Sequence, residues 1–163
     1  MKTYSIALLT FVLSALFLGS CSKNNVEPKG PFLSCKIDGE DYTIAGAYSY
    51  ATTFSDRIGI YGVREVNSNK TENRTFYILL SKDKGVGKHT LVEGGKDHGN
   101  WIVGAGNTDN EKFFTYNKGG GGYVEITQKT NTEVEGTFAF TVANFKGDKK
   151  VTISDGKFRV VFR

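Results

Sequence analysis

Residues 85–90, GVGKHT, contain the glycine–lysine step of nucleotide-binding loops. A P-loop needs Gly-x-x-x-x-Gly-Lys-Ser/Thr between a strand and a helix. Here Lys82 stands where the first glycine is required, and His89 stands where a hydroxyl should follow the lysine. The next segment has adjacent glycines and no helical spacing, so no helix N-terminus is available for phosphate. We therefore expect no nucleotide ligand and interpret 82–87 as a turn before a short strand over 88–92.

The two histidines could contribute to a metal site. His89 and His98 are the only histidines, and Asp97 precedes His98. Two histidines and a carboxylate can bind zinc. However, a glycine-rich stretch separates the histidines and no third ligand is positioned, so we interpret both as solvent-exposed loop residues and predict no metal.

The sequence gives equally little evidence for a group of catalytic residues. Paired carboxylates could hydrolyse glycosides if they were held at the right separation. The acidic residues at 38–41 belong to a turn, and Glu133 and Glu135 share a solvent-facing side of a strand. No Gly-x-Ser-x-Gly elbow is present for a serine hydrolase. We predict that the protein is not an enzyme and has no cofactor.

Aromatic residues are better candidates for binding, because exposed rings on a rigid sheet can contact sugars or peptides. The chain has twelve Phe, eight Tyr and one Trp. This is more than period-two alternation assigns to the inward face of a single core. The additional aromatic residues are Tyr48, Tyr50, Phe54, Tyr61, Trp101 and Tyr116. We name Tyr48, Tyr50 and Trp101 as candidate binding residues. The alternative is that Trp101 belongs to the core and the tyrosines cap sheet edges.

The first residues predict export. Lys2 precedes an apolar segment over 6–18 that is too short to span a bilayer comfortably, and Leu-Gly-Ser-Cys follows and ends at Cys21. This segment resembles a bacterial lipoprotein signal with its lipobox. The resemblance implies cleavage after residue 20, lipidation of Cys21 and a membrane anchor of several acyl chains. The alternative is an ordinary secretory signal with an unmodified Cys21.

Residues 21–31 form the expected tether, with the lipidated cysteine followed by a polar segment that holds both prolines. Surface-displayed lipoproteins of Bacteroidota-type cells often have acidic residues after the cysteine. Here residues 22–25 are Ser-Lys-Asn-Asn, so we favour the periplasmic face of the outer membrane over the cell surface. If Cys21 is a thioether, Cys35 has no disulfide partner, and its alternating surroundings predict a small buried hydrophobe.

Residues 32–163 show recurrent period-two patterns and no sustained helical spacing. The clearest strand, EVEGTFAFTVANF, places Val134, Phe138 and Val142 on one face. We expect Asp38-Gly39 to form a hairpin turn, 42–50 to be one strand, and the glycines at 119–122 to connect a hairpin. The parity change between Ile153 and Phe158 predicts a turn or bulge. The fold class is all-β, a single antiparallel β-sandwich or flattened barrel of about nine or ten short strands.

This region also resembles small all-β lipoproteins of unknown function from Bacteroidota-type bacteria, over most of residues 33–160. The resemblance is carried by an Asp-Gly turn after the first strand, a Gly-x-Tyr-x-Leu-like step, a Gly-Thr-Phe-x-Phe strand and a closing Ile-Thr-Asp-Gly-x-Phe turn. His89 and Ser154 depart from the family's Tyr and Thr. The resemblance implies a fold and no activity. The matching residues are Asp38, Gly39, Gly87, His89, Leu91, Gly136, Thr137, Phe138, Phe140, Ile153, Ser154, Asp155, Gly156 and Phe158.

The distribution of charge argues against a nucleic-acid-binding protein. The net charge of +4 comes from 21 basic and 17 acidic residues scattered along the chain, without the basic cluster of a nucleic-acid site. We predict a membrane-anchored envelope lipoprotein that acts as a binding module for a glycan, a peptide or another envelope protein. A structural envelope component without a ligand is the alternative, and a hydrolase is the third.

Overall fold

The computed structural model describes residues 27–64, 74–103 and 112–163. The signal segment, Cys21 and residues 22–26 lie outside the described residues. Within the described ranges, no helix is both long and apolar enough to cross a membrane. The elements are β1 (Phe32–Ile37), β2 (Glu40–Ala45), a 3₁₀ turn (Gly46–Tyr48), β3 (Ser49–Thr53), β4 (Arg57–Arg64), β5 (Arg74–Ser81), β6 (Gly87–Leu91), β7 (His98–Val103), β8 (Lys112–Phe114), β9 (Gly121–Lys129), β10 (Glu133–Ala143) and β11 (Lys150–Val161).

The strands form one antiparallel sheet that is nearly closed into a barrel. Its order is β2-β1-β11-β10-β8-β7-β5-β4-β3, and β9 and β6 branch from β10. The sheet nearly closes where Ala51 of β3, the last strand of this order, forms an isolated bridge with Phe162 just after β11 and accepts a 2.9 Å hydrogen bond from the Arg163 amide. The predicted all-β fold class is confirmed, with eleven described strands where about nine or ten were expected.

One hydrophobic core fills the interior, as period-two alternation requires. Phe138 lies at its centre, with its ring centroid 5.1 Å from that of Phe76, 5.6 Å from Phe140 and 6.2 Å from Phe158. The predicted inward face of β10 is confirmed, since Val134, Phe138 and Val142 are all buried. Cys35 is also buried, as expected of a small hydrophobe.

The Asp38-Gly39 hairpin turn is confirmed. Ile37 of β1 pairs directly with Glu40 of β2, and the two turn residues have φ values of +49° and +90°. Positive φ at both central positions is typical of a type I′ turn, which matches the twist of the flanking strands. The Asp38 carboxylate accepts a 2.7 Å hydrogen bond from the Thr152 amide, so the turn is also held to β11.

The prediction of one continuous strand over 42–50 is wrong. Gly46 adopts φ +68°, and the 3₁₀ turn that starts there separates β2 from β3. The parity therefore changes, so that Ser49 and Ala51 are buried and Tyr50 faces outward. A glycine in an alternating pattern was the signal that the strand could end there.

The prediction of a hairpin at the glycines 119–122 is also wrong. β8 pairs with β7 and β10, whereas β9 pairs with β10 and β6, so β8 and β9 are not neighbours. The glycines allow close backbone approach instead. A Cβ atom on Gly120 would lie 2.5 Å from the Thr115 carbonyl oxygen, and one on Gly122 would lie 2.4 Å from that of Ala139.

The parity change in the last strand is a bulge within one continuous strand. Asp155 has φ +52°, and the register of β10 against β11 shifts between Phe138 and Phe140. A Cβ atom on Gly156 would lie 2.4 Å from the Phe138 ring, so a glycine is required beside the centre of the core. The bulge bends β11 and increases its twist, which favours closure of the sheet.

Candidate functional site

A row of aromatic side chains crosses the outer face of the sheet from β3 to the residues just after β8. We call it the aromatic row. The members within strands lie on the outward parity, opposite the buried residues of the core, and Tyr116 lies in the turn after β8. Its members are Tyr50, Tyr61, Tyr77, His98, Tyr116 and Phe114.

Strand register brings the tyrosines of the row together. Tyr50 pairs directly with Tyr61, and Tyr61 pairs directly with Tyr77. Directly opposed side chains of an antiparallel pair lie close enough for aromatic rings to interact. The centroids of Tyr50 and Tyr61 are 5.3 Å apart with an interplanar angle of 15°, and those of Tyr61 and Tyr77 are 5.7 Å apart at 23°. These three rings therefore form an offset parallel stack.

His98 continues the row toward β8. Its ring centroid is 6.5 Å from that of Tyr77 and 5.1 Å from that of Tyr116, and both contacts are edge-to-face. Phe114 and Tyr116 then stack with centroids 4.7 Å apart. At the other end of the row, the Arg163 guanidinium lies 5.0 Å from the Tyr50 ring centroid. One face of the terminal tyrosine is thus covered by a cation.

Gly59 allows the central ring to lie against the sheet. A Cβ atom at this position would lie 2.4 Å from Cε2 of Tyr61 and 2.9 Å from its hydroxyl oxygen. The φ angle of Gly59 lies outside the left-handed region, so space and not backbone conformation requires the glycine. Covering of a strand glycine by a neighbouring aromatic ring is a known means of stabilising a sheet.

Asn100 lies beneath the row. It is fully buried on β7, in register with Tyr77 on one side and Phe114 on the other. Neither its amide oxygen nor its amide nitrogen makes a hydrogen bond of ordinary geometry. The amide lies close enough to the Tyr77 hydroxyl to oppose slightly the rise in the pKa of that phenol. A buried amide without full hydrogen bonding carries a cost and is unusual in a native protein.

Burial favours the uncharged forms of Tyr61, Tyr77, His98 and Tyr116. Burial raises the pKa of Tyr77 to about 12, and it also raises the pKa of Tyr61 and of Tyr116. Burial lowers the pKa of His98, although a 2.7 Å hydrogen bond between Nδ1 and the Lys96 carbonyl oxygen opposes the change. Because a carbonyl only accepts, Nδ1 carries the proton and Nε2 is left as an acceptor. Burial therefore favours uncharged rings at these four positions, with polar atoms at their edges.

Stacking determines what the row can bind. The inner ring faces are occupied by neighbouring rings, so the edges and the polar atoms of the row are left for a ligand. A sugar that stacks on an aromatic residue needs a free ring face. A protein surface, in contrast, packs against ring edges and hydrogen-bonds to tyrosine hydroxyls, and tyrosine is enriched at such interfaces. The geometry thus favours a protein partner over a stacked glycan.

No family model, no curated protein and no solved structure matches this chain.

The structure separates the three candidate binding residues. Tyr50 belongs to the row. Tyr48 is 56% exposed but lies outside the row, in a depression between β2 and β4. Trp101 is 4% exposed and packs edge-to-face on Tyr42 with centroids 5.2 Å apart, so its assignment as a binding residue is wrong and the core alternative is confirmed.

Sequence reasoning missed Tyr77, His98 and Phe114. The signal was present in part, because Tyr77 has the opposite parity to the buried Phe76. β5 lies inside the sheet, between β4 and β7, and its outward residues are half-buried by neighbouring side chains.

The GVGKHT stretch and the two histidines, which were the other candidates for chemistry, lie in or beside strands of the sheet. The GVGKHT stretch forms a turn followed by β6, as predicted, and no helix follows it within 87–103. The prediction of exposed loop histidines is wrong, because His89 lies within β6 and His98 begins β7, and both are half-buried. β6 and β7 are not neighbours in the sheet. Across the described residues, no group of three His, Cys, Asp or Glu side chains could hold a metal ion.

Proposed function

We propose that this protein is a lipid-anchored envelope protein that binds a partner protein through the aromatic row. The single observation that carries the proposal is the continuous row of six partly exposed rings across neighbouring strands, on the outer face of the sheet. Rigid aromatic rings lose little conformational entropy on binding and contribute disproportionately to interfaces.

The position of the N-terminal segment supports an orientation in which the aromatic row stays accessible when the protein is anchored to a membrane. Glu27 forms salt bridges of 3.1 Å to Lys157 and 3.7 Å to Arg159, both on the outer face of β11. Only residues 22–26 separate Glu27 from the proposed lipid on Cys21. The row begins on β3, which bridges Phe162 just after β11, and its middle members lie on β4, β5 and β7, which do not pair with β11. A membrane anchor at Cys21 would therefore hold the β11 side near the bilayer and leave most of the row accessible.

Cross-linking in intact cells tests the partner. The full-length chain and a variant with Tyr61→Ser and Tyr77→Ser would be expressed, cross-linked and analysed by mass spectrometry. Truncating central aromatic contacts should weaken capture of a specific protein by at least about 30-fold, or about 2 kcal/mol. The matched control is Phe145→Ser, which removes a 77% exposed ring outside the row and should retain capture.

The same variants distinguish the alternatives. A glycan array on which the wild type binds and the row variant does not would replace the protein partner with a glycan. Equal capture by wild type and row variant would refute the row as the binding face, and no capture at all would favour a structural component.

The anchor is tested separately by intact mass. The mature chain should begin at an acylated Cys21, and Cys21→Ser should leave the precursor uncleaved. An unmodified cysteine after cleavage would refute the lipoprotein assignment without affecting the row.

A further inference from the structure

The outer edge of β2 is an unpaired sheet edge. Among the described strands, β2 is the first in the order of the sheet and pairs only with β1. The two-residue turn makes Ile37 and Glu40 the closing hydrogen-bonded pair, and hydrogen-bonded pairs then alternate along an antiparallel ladder. The main-chain N–H and C=O groups of Asp41, Thr43 and Ala45 therefore point away from β1. In the described chain, no turn or loop backbone group hydrogen-bonds to them.

A depression of about 520 Å³ borders this edge. One wall contains Asp41, Thr43 and Ala45, the same residues whose backbone groups point outward. Val63 and Arg64 of β4 line the other wall, with Tyr48 also contributing. The unpaired backbone groups thus lie beside a space with an apolar side chain and an exposed aromatic ring, the arrangement that receives an added strand.

Charge indicates which segment fits. Glu40 and Asp41 are exposed, and neither forms a salt bridge within the described chain. Lys36 of β1 lies opposite Asp41, but its ammonium forms a 2.9 Å salt bridge with Asp155 instead. A side chain directly opposite Asp41 on an added strand would lie on the same face of the sheet, where opposite charges attract and like charges repel. On the facing wall, the Arg64 guanidinium lies 5.8 Å from the Tyr42 ring centroid, and it can donate to carbonyl oxygens of the added strand.

We propose that the free edge of β2 binds, by strand addition, an extended peptide segment of a partner protein that has a basic residue opposite Asp41 and an apolar residue against Tyr48. Main-chain hydrogen bonds to Asp41, Thr43 and Ala45 provide affinity, and the depression provides selectivity. This site is separate from the aromatic row and does not depend on the lipid anchor.

A backbone substitution tests the proposal directly. Thr43→Pro removes one outward N–H donor without removing a bond to β1, because proline is tolerated at edge positions that face solvent. Thr43→Ala is the matched control, since it removes the side chain and keeps the donor. The probe is an acetylated, amidated peptide that alternates threonine and valine around one central lysine, with a second peptide carrying glutamate in its place.

Calorimetric titration of the full-length chain in detergent should show at least about 10-fold tighter binding of the lysine peptide than of the glutamate peptide, the size of one opposed charge pair and its hydrogen bonds. Thr43→Pro should weaken binding of the lysine peptide by at least about 10-fold, whereas the affinity of Thr43→Ala for this peptide should stay within about 2-fold of the wild-type value. Asp41→Lys, which leaves the backbone intact, should reverse the preference between the two peptides.

Three results would overturn the proposal. In the first, Thr43→Pro binds the lysine peptide as tightly as Thr43→Ala does. In the second, the lysine and glutamate peptides bind the wild type equally and also bind Asp41→Lys equally. In the third, sedimentation would show a dimer of the wild-type chain that Thr43→Pro abolishes, which would make a second copy the occupant of the edge.

Discussion

Replacing Gly59 with alanine should disrupt the aromatic row without removing a ring. The added Cβ atom would lie 2.4 Å from Cε2 of Tyr61, so the ring must move off the sheet. Tyr61 stacks on both Tyr50 and Tyr77, and each such pair contributes about 0.5–1.5 kcal/mol beyond burial. Loss of both stacks would therefore destabilise the protein by about 1–3 kcal/mol.

Alanine also acts on the unfolded chain. At a backbone conformation that alanine can adopt, Gly→Ala stabilises a protein by about 0.4–1 kcal/mol, because the unfolded chain has fewer conformations to lose. The net effect expected for Gly59→Ala is thus a destabilisation of about 0.5–2 kcal/mol. If Tyr61 is first replaced with alanine, the obstacle is gone, and Gly59→Ala should become stabilising by about 0.4–1 kcal/mol.

Urea denaturation of the four proteins of this cycle, followed by far-UV circular dichroism, measures the change. The midpoint should fall for Gly59→Ala in the wild type and rise when it is added to Tyr61→Ala, with unchanged slopes. The sign reversal is the diagnostic result. The reasoning is refuted if Gly59→Ala destabilises both backgrounds equally, because the cost would then come from the strand and not from the ring.

Three further outcomes are expected. Phe138→Ala should destabilise the protein by about 3–5 kcal/mol in urea denaturation because it empties the centre of the core, and Phe138→Leu should cost much less. Burial raises the pKa of Cys35 to about 12, so a thiol reagent should label it at neutral pH only after denaturation, and rapid labelling of the folded chain would contradict its burial. Burial lowers the pKa of His98, so the unfolded chain binds a proton first and stability should fall as the pH drops below the ordinary histidine value of about 6.5. His98→Asn should remove that part of the pH dependence, whereas His89→Asn should retain it.

The fold could be predicted because alternation is a local property. Val134, Phe138 and Val142 are buried on one face of β10 as their spacing requires, and Asp38-Gly39 forms the turn that its residue types favour. The errors in the predicted strand connections arose at glycines, where one residue type has several uses. Gly46 ends a strand through a positive φ, whereas Gly120 and Gly122 admit nearby backbone and connect no hairpin.

The aromatic row could not be predicted in this way, because it is a property of register between strands that are distant in sequence. The pairing of Tyr61 with Tyr77 follows from the register of β4 and β5, and the sequence between these strands does not specify it. Tyr77 and Asn100 are adjacent only because β7, and not β6, pairs with β5. Alternation shows that a side chain faces outward, but only sheet order shows which outward residues meet. The same limit applies to the free edge of β2, since an unpaired strand is defined by what does not pair with it. Local patterns thus specified the core, whereas both candidate binding surfaces depend on the order in which the strands assemble.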